Sequence, residues 1–595
     1  MNKDQLPTRT QAIIFRGKAS LLQIKRGVQN FLDKDLRRFT QKEIYEQPII
    51  AESITPLWTE KEAGEQFLQA GKIQNLRVAI RHLNGLQITA NQMFSFWKHV
   101  GKTNRGKGFV AGRELREGCI IPNIGGGLCQ LSNALYDTAL KANFEIIERH
   151  AHTQVVRGSL AEQGRDATVF WNYVDLRFKS PNSFQIQAEL DAENLIIRFR
   201  GEKQEAKKLI SISRTKEQKP AEIGSCATCG VNDCFRVIKP DPNILDFGRT
   251  AYLVDEFSTE FNDYIQQIRK EKDFFLIPLD GKRFKKANYA WSTQGFHKTK
   301  QSFLVTAIRS YKSRKLAQQG ASRQKNLLEM YEKLAESYAQ KLTYDCLHLV
   351  VQQNLLPFLW KNGHLGGRTF DVLMTALPMR DLQKRLDFAK SLHSESTTLG
   401  DFRADEWLVE AEMKALRHAR KIITPHTEIA SLFADKAEIL DWKTSKVEVN
   451  RSNIKGQKPK ILFPASTVGR KGCYDIREAL KGLDVKLLLL GSIIENENFW
   501  EGFDVEKTTL EEALNKADLV ILPAFVEHKP RPLLKAVAKG IPVIASKACG
   551  VENIEGIEII ENGDVEDLRL KLENFLGISK QNYVKNKQSP SVAWN

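Results

Sequence analysis

The sequence predicts a multidomain protein, an α+β domain followed by an α/β pair of Rossmann-like halves. Three observations carry that expectation. A chain of 595 residues with 42% hydrophobic and 27% charged positions has the make-up of a globular protein and the length for several cores. Before Gly201 a glycine-rich stretch and one good helix mix with alternating, strand-like runs. Beyond Phe247, short apolar runs alternate with long helical segments, the order of a doubly wound fold.

Taken in order, residues 1–90 read as a helical N-terminal extension, because 21–39 and 61–83 have helix-like spacing without a chemical motif. The α+β domain is expected over 91–201, with strands at 168–174 and 184–190. A linker with three cysteines, 202–246, opens on the charged run 201–223. The first Rossmann-like half, 247–450, has its strands at 274–279, 347–351, 372–376 and 422–424. The second, 451–595, follows the polar stretch 443–458 and has strands at 461–463, 486–490, 519–522, 543–545 and 557–560.

The charge balance narrows the partners. With 89 Lys and Arg against 72 Asp and Glu, the net +17 favours something anionic: a phosphorylated sugar donor, an acidic lipid headgroup or nucleic acid. No window approaches the roughly 18–20 apolar residues of a membrane span, and residues 1–27 lack the apolar core of a secretory signal. The expected place is the cytoplasm, at most peripheral on the inner membrane face. Eight cysteines are too sparse for a disulfide scaffold, so their clusters point to metal or catalysis.

The most distinctive segment is IPNIGGGLCQLSNALYDTALKANFEIIERHAHTQVV. Gly125, Gly126 and Gly127 form a loop on which a substrate backbone can approach closely, and Cys129 follows at the start of a helix. Unpaired amides and the positive end of the helix dipole favour a thiolate there. His150, His152, Asp166 and Asp175 follow, so thiol, imidazole and carboxylate occur in the order of a Cys/His/Asp nucleophilic site. On a strand the two histidines would share a face; His152 is favoured over His150. Asp175 is equally a partner for Arg177, and a buried structural cysteine after a tight turn would leave the same pattern.

FSFWKHVGKTNRGKGFVAG, IGGGLCQLSNALYDTAL, ERHAHT, GRDATVFWNYVDLRF and the following Asn182 resemble the VanW family, named for a vancomycin B-type resistance protein, over 91–201, about a fifth of the chain. The resemblance implies an association with the cell envelope and with vancomycin resistance. Many members are similar to secreted or anchored wall proteins, whereas this chain shows no export signal. The cysteine order is also similar to that of transglutaminase-like and papain-like enzymes, by pattern alone.

Cys226, Cys229 and Cys234 in SCATCGVNDCF have spacings that suit zinc or an iron–sulfur cluster, with a fourth ligand from a distant histidine, Cys119 or water. A redox Cys-x-x-Cys pair and plain structural cysteines are the alternatives. Residues 281–325 hold twelve Lys or Arg and no Asp or Glu, interleaved with six aromatic residues. That composition suits an anionic membrane surface, or else a solvated helical face; no nucleic-acid fold signature accompanies it, and nucleic acid is not expected.

In PASTVGRKGCYDIREAL, Gly469, Arg470, Lys471 and Gly472 lie between a strand and a helix, where amides and cations hold phosphate. With LVILPAFVEHKPRPLLKAVAKGIPVIAS this resembles the donor half of GT-B glycosyltransferases. The resemblance implies a nucleotide-sugar donor, with Arg470 and Lys471 neutralising its diphosphate and Glu527 matching the first residue of the paired-glutamate motif. The second glutamate falls on Lys535, which cannot accept from sugar hydroxyls. VEAEMKALRHARKIITPHTEIASLF, with Glu412, resembles the end of an acceptor half, and His364 among glycines resembles an acceptor-loop histidine. The leading expectation is sugar transfer from a nucleotide donor to a cell-envelope or polysaccharide precursor. The alternatives are a thiol-dependent amidase, peptidase or acyl transferase at Cys129, and a non-catalytic envelope-precursor or membrane-surface scaffold with a degenerate GT-B module.

Overall fold

The computed structural model of the chain describes residues 8–44, 47–60, 63–116, 119–152, 158–202, 224–225, 247–315, 320–401, 403–444 and 458–577. Among them, the strands before Phe247 are β1 (Ile49–Pro56), β2 (Leu86–Ile88), β3 (Met93–Ser95), β4 (Ala111–Arg116), β5 (Cys119–Ile124), β6 (Glu145–Glu148), β7 (Arg177–Lys179), β8 (Phe184–Leu190), β9 (Asn194–Gly201) and β10 (Gly224–Ser225). They form three small sheets, ordered β1-β9-β8-β2, β3-β7-β6 and β10-β5-β4. Strand β9 buries every second residue, Leu195, Ile197 and Phe199, as the two-residue period of a half-buried strand requires. Phe199 stacks on Phe144 with ring centres 5.3 Å apart, and Phe144 meets Phe184 at 4.6 Å.

The helix Leu128–Lys141 supplies the other wall of this core through Leu128, Leu131, Leu135 and Ala139, one face at three- and four-residue spacing. The helix Ala63–Ile80 adds Ile73 and Leu76 to the same core. Helix Ala63–Ile80 and strand β1 lie ahead of residue 91, so the α+β core extends upstream of the border expected there. Of the expected extension, the helix Arg9–Leu32 joins no sheet but packs on the α+β domain: Arg26 pairs with Glu148 of β6, Asn30 Oδ1 accepts from Arg177 Nη2 of β7 at 2.6 Å, and Phe15 meets Phe170 edge to face at 6.3 Å. Residues 168–174 are not a strand either: a bridge between Phe170 and Val174 closes a turn, and Asn172 reverses the chain at φ 47°, a conformation asparagine tolerates.

Beyond Phe247 all sheet pairing is parallel. The first half comprises β11 (Arg249–Leu253), β12 (Phe274–Ile277), β13 (Lys298–Gln301), β14 (Cys346–Gln352), β15 (Thr369–Leu373), β16 (Lys421–Thr424) and β17 (Ala437–Ile439). The second comprises β18 (Lys460–Phe463), β19 (Lys486–Leu489), β20 (Val505–Lys507), β21 (Leu519–Leu522), β22 (Val543–Ser546) and β23 (Ile557–Ile560). Strands such as β12 (FFLI) and β21 (LVIL) are buried along their whole length, because helices cover both faces of a parallel sheet.

The sheets run β13-β12-β11-β14-β15-β16-β17 and β20-β19-β18-β21-β22-β23. In each, the first strand is central and the order reverses beside it, the Rossmann arrangement, with a crevice at the carboxyl ends of β11 and β14 and of β18 and β21. The expected fold class, an α+β domain followed by an α/β GT-B-like pair of Rossmann-like halves, is the one observed. The α+β domain sits on the first half through buried Arg77, whose Nε donates to Gly366 O at 2.6 Å, and through Gly367 N–H donating to Asp191 O at 2.7 Å. No helix among the described residues is long and apolar enough to cross a membrane.

Candidate functional site

Two places gather chemistry. The first is the crevice of the second half. The turn Gly469–Lys471 follows β18, the loop 523–530 follows β21, and Arg470 O accepts from the amides of Phe525 at 3.0 Å and Val526 at 3.1 Å. Gly472 ends the turn at φ 76°, where a side chain would strike the Pro523 carbonyl; only glycine lets the loops meet this closely. Lys471 Nζ lies 2.8 Å from Glu527 Oε2 and donates to Val526 O at 3.0 Å. Burial favours the neutral form of Glu527, but Lys471 outweighs it and holds the carboxyl below its ordinary value.

Arg470, Lys471, Glu527, His528 and Lys529 line a cavity of about 290 Å³. His528 Nε2 is buried without a hydrogen-bond partner among the described residues. Burial first, then the Lys471 charge, pushes this imidazole down to about 3, so it stands neutral with polar capacity unspent. The three residues expected to hold the donor are thus brought together. Lys535, by contrast, is on the exposed face of the helix Arg531–Ala538 and does not line the cavity.

The first half presents its own crevice residues, which the sequence reading did not single out. Asp255, fully buried just beyond β11, pairs with Arg309 Nη1 at 2.6 Å and accepts from Asn354 Nδ2 at 2.7 Å. Its neighbour Glu256 pairs with Lys529 of the second half at 2.6 Å, and Glu260 pairs with Arg531. Glu495 joins the halves again, accepting from Gly469 N–H at 2.6 Å and from the hydroxyls of Ser396 and Thr398. The available signal was the run TAYLVDEF, an acidic pair directly after a strand. His364 is not in the crevice: half-buried near Arg81, Arg368 and Arg77 at the seam with the α+β domain, it is pushed down to about 3 by burial first. Glu412 accepts from Met379 N–H at 2.6 Å and from Gln353 Nε2 at 3.0 Å, which fixes a helix start.

The second place is the glycine loop. Gly127 caps the helix Leu128–Lys141 at φ 94°, and a Cβ there would overlap the stem of buried Lys72. Cys129, in the first turn, has its Sγ 3.7 Å from Thr168 Oγ1 and hydrogen-bonds to the His152 imidazole. His152 Nδ1 lies 2.5 Å from Asp166 Oδ1, and Asp166 Oδ2 accepts from the His152 backbone N–H at 2.5 Å. The helix also holds the carboxylate's strand of chain: Asn133 Oδ1 accepts from Ala167 N–H at 2.8 Å, and Ser132 Oγ donates to Ala167 O at 2.5 Å.

Burial would raise the thiol, but the hydrogen bond and charge of His152 outweigh it and hold Cys129 below its ordinary value. Burial would likewise lower His152, but the bonds from Asp166 and Cys129 carry it well above. Both shifts favour the thiolate–imidazolium form of the pair. It opens on a cavity of about 710 Å³ walled by Gly125, Gly126, Gly127, the end of β1 and residues 168–171.

His150 does not join them. Its side chain is 51% exposed and turns to Glu148 at 3.5 Å. The chain leaves β6 at Glu148, before either histidine, so the shared face of a strand never arises. Asp175 accepts from Ser95 Oγ at 2.6 Å and pairs with Arg177 at 3.0 Å, a structural role. Cys226, Cys229 and Cys234 lie outside the described residues, and among the described residues no group of three or more His, Cys, Asp or Glu is placed to hold a metal.

Comparison with known proteins follows the same division. Residues 71–200 match the family described as VanW like protein, and residues 445–588 the family described as Glycosyl transferases group 1. The vancomycin B-type resistance protein VanW of Enterococcus faecalis is 30% identical over 163 residues, 26% of this chain and 58% of that protein. The uncharacterized protein YoaR of Bacillus subtilis is 32% identical over 106 residues, 18% of this chain and 34% of that protein. The chain therefore spans well under two thirds of the length of either relative. Among solved structures, sucrose-phosphate synthase of Thermosynechococcus elongatus aligns with a TM-score of 0.37 and 14% identity over 56% of this chain and 90% of that one. The lipopolysaccharide outer core galactosyltransferase WaaB aligns with a TM-score of 0.34 and 13% identity over 55% of this chain and 90% of that one. The chain joins a VanW-like segment to a glycosyl transferases group 1 segment.

Proposed function

We propose that the paired α/β halves form a nucleotide-sugar-dependent glycosyltransferase that transfers a sugar to a cell-envelope or polysaccharide precursor at the cytoplasmic face of the membrane. The observation that carries this reading is the meeting of Arg470, Lys471, Glu527 and His528 around one cavity at the crevice of the second half. In the proposed reaction Arg470 and Lys471 take up the negative charge that develops on the departing diphosphate. Glu527, which once ionised accepts and cannot donate, receives hydrogen bonds from sugar hydroxyls, and the unspent His528 nitrogen gains a ligand partner. The acceptor enters from the facing crevice, where Asp255, Glu256 and Glu260 stand.

A membrane-borne acceptor is supported by the surface beside that crevice. Phe303, Leu304, Ile308 and Tyr311 are exposed along the helix Phe303–Lys315, and Phe303 meets exposed Phe284 at 5.4 Å. Exposed Lys282, Arg283, Lys285 and Lys286 flank that ring, which puts apolar side chains and cations on one patch. Co-sedimentation with phosphatidylglycerol vesicles, lost on Leu304→Asp and Ile308→Asp, is the expected outcome; equal loss with neutral vesicles would argue against an anionic surface.

Thermal unfolding with a panel of UDP-, GDP-, ADP- and CMP-sugars tests the core of the reading. One donor is expected to stabilise the protein, and Arg470→Ala is expected to remove that effect. Silence across the panel, or stabilisation indifferent to Arg470→Ala, would overturn it.

A further inference from the structure

The sugar-transfer reading leaves the glycine-loop cavity without a task, although its groups are set as a reactive centre. The nucleophile stands in the first turn of a helix of 14 residues, the imidazole on its thiol is oriented by a buried carboxylate that grips both the ring and the backbone, and the cavity reaches the thiol. We propose that Cys129, His152 and Asp166 form a second catalytic centre, a thiol acyl-transfer site whose substrate is an extended peptide amide and whose acyl acceptor is water or an amine.

Catalysis by these groups follows from their placement. The Cys129 thiolate attacks the amide carbonyl carbon, an S–C bond forms, and the carbonyl electron pair moves onto oxygen. The amides at the helix start other than that of Gln130, which donates to Gly127 O at 3.1 Å, are the donors proposed to meet that charge. The C–N bond breaks, its pair leaves with nitrogen, and the nitrogen takes the proton held on the His152 ring nitrogen opposite Nδ1. Water or an amine then attacks the thioester carbon and gives its proton to His152. The S–C bond breaks, its pair returns to sulfur, and the thiolate and imidazolium are restored. Asp166 keeps the ring in the orientation both steps need, as the carboxylate of a nucleophilic triad does.

The substrate class comes from the walls. Strand β1 is the edge of its sheet, and its final residues Ser53, Ile54, Thr55 and Pro56 run along the cavity. An edge strand presents backbone groups to which an extended chain can add, here in exchange for the side chains of Lys141 and Gln130, which donate to Glu52 O at 3.0 Å and Pro56 O at 2.9 Å. Ser53 Oγ, on a side chain only 2% exposed, has no hydrogen-bond partner among the described residues and belongs to the same wall. Gly125, Gly126 and Gly127 form the facing side; the room a Cβ would need there is taken by Thr103, the Gly112 carbonyl and Lys72, so the glycines serve the packing of the loop, which meets the cavity as bare backbone. Trp97 and Trp171, edge to face at 5.5 Å, close one end with apolar surface, and Arg113, held by Glu65 at 3.2 Å, closes another.

The test uses the full chain and two probes. Iodoacetamide labelling, mapped by mass spectrometry to each cysteine, is expected to modify Cys129 first at neutral pH and at least about tenfold more slowly in His152→Ala. A panel of tetrapeptide aldehydes is expected to protect Cys129 at concentrations where acetaldehyde does not. Labelling of Cys129 no faster than that of glutathione would overturn the catalytic centre, as would an unchanged rate in His152→Ala. Asp166→Asn, which keeps the shape of the side chain, provides the same comparison if His152→Ala melts at a lower temperature than the parent. Equal protection by acetaldehyde, or none from any peptide, would overturn the peptide class. Neither probe touches the donor crevice, so failure here leaves the sugar-transfer reading standing, and the reverse holds too.

Discussion

The glycine-loop cavity and the proposed donor crevice differ in how their charges are held. At the loop every group of the Cys129–His152–Asp166 relay is engaged by another, inside one domain and within a stretch of about forty residues. In the crevice the cations are spent on acids, Lys471 on Glu527 and Lys529 on Glu256, while the His528 nitrogen waits for a partner. In the first, the proposed thiol centre, the three side chains already meet one another with no ligand present. The second is a set of ion pairs, two of which span the halves, that an anionic ligand has to rearrange. A site complete in itself can be read from one domain; a site that a ligand completes needs both.

The largest effect that would break this contrast is crossed loss of function. Cys129→Ala is expected to abolish selective alkylation and leave donor-induced stabilisation intact, while Arg470→Ala does the opposite; loss of both from either variant would mean a single shared site. Next comes the pH profile of alkylation. With the thiol held low and the imidazole held high, the rate at Cys129 is expected to stay level through neutrality and to fall only in acid, as the thiolate takes up a proton. Once His152→Ala removes the main stabilising partner, burial is opposed only by the contacts to Val169 and Thr168, and the fall is expected to move up toward the ordinary thiol value of about 8.5. An unshifted profile would show that the relay is not coupled.

A smaller effect is expected where the halves join. Glu495→Ala takes the carboxylate acceptor from the hydroxyls of Ser396, Thr397, Thr398 and Tyr474 and one of two acceptors from Gly469 N–H, and is expected to cost about 1–3 kcal/mol in urea unfolding, together with weaker donor stabilisation. The smallest belongs to the half-exposed pair of Lys529 and Glu256. Lys529→Ala is expected to change stability by at most about 1 kcal/mol and to alter the salt dependence of donor binding instead. A larger stability loss would mean that the pair fastens the halves rather than yielding to the ligand.

Much of the thiol site was legible in the chain because its parts are local. A glycine loop, a helix start and ERHAHT followed by GRD lie close enough in sequence for their order to suggest the chemistry. The choice between His150 and His152 was not, since it depended on where β6 ends. Arg470, Lys471 and Glu527 were legible because each follows a recognisable apolar strand. Asp255, Arg309 and Asn354 were not, because their meeting requires partners 54 and 99 residues away to be folded onto one crevice. The N-terminal border moved for the same reason: β1 is recognisable only through its antiparallel register with β9, Ala51 opposite Phe199 and Thr55 opposite Leu195.

The alternation of apolar strands and helices in the chain was enough to set the fold class, the two parallel sheets and the helix that carries Cys129, because periodic burial is a local property of sequence. Which histidine meets the thiol, which acids face the donor crevice and where the first domain begins were settled by packing. Those outcomes depend on side chains far apart in sequence competing for the same buried partners, and only the folded chain brings them within hydrogen-bonding distance.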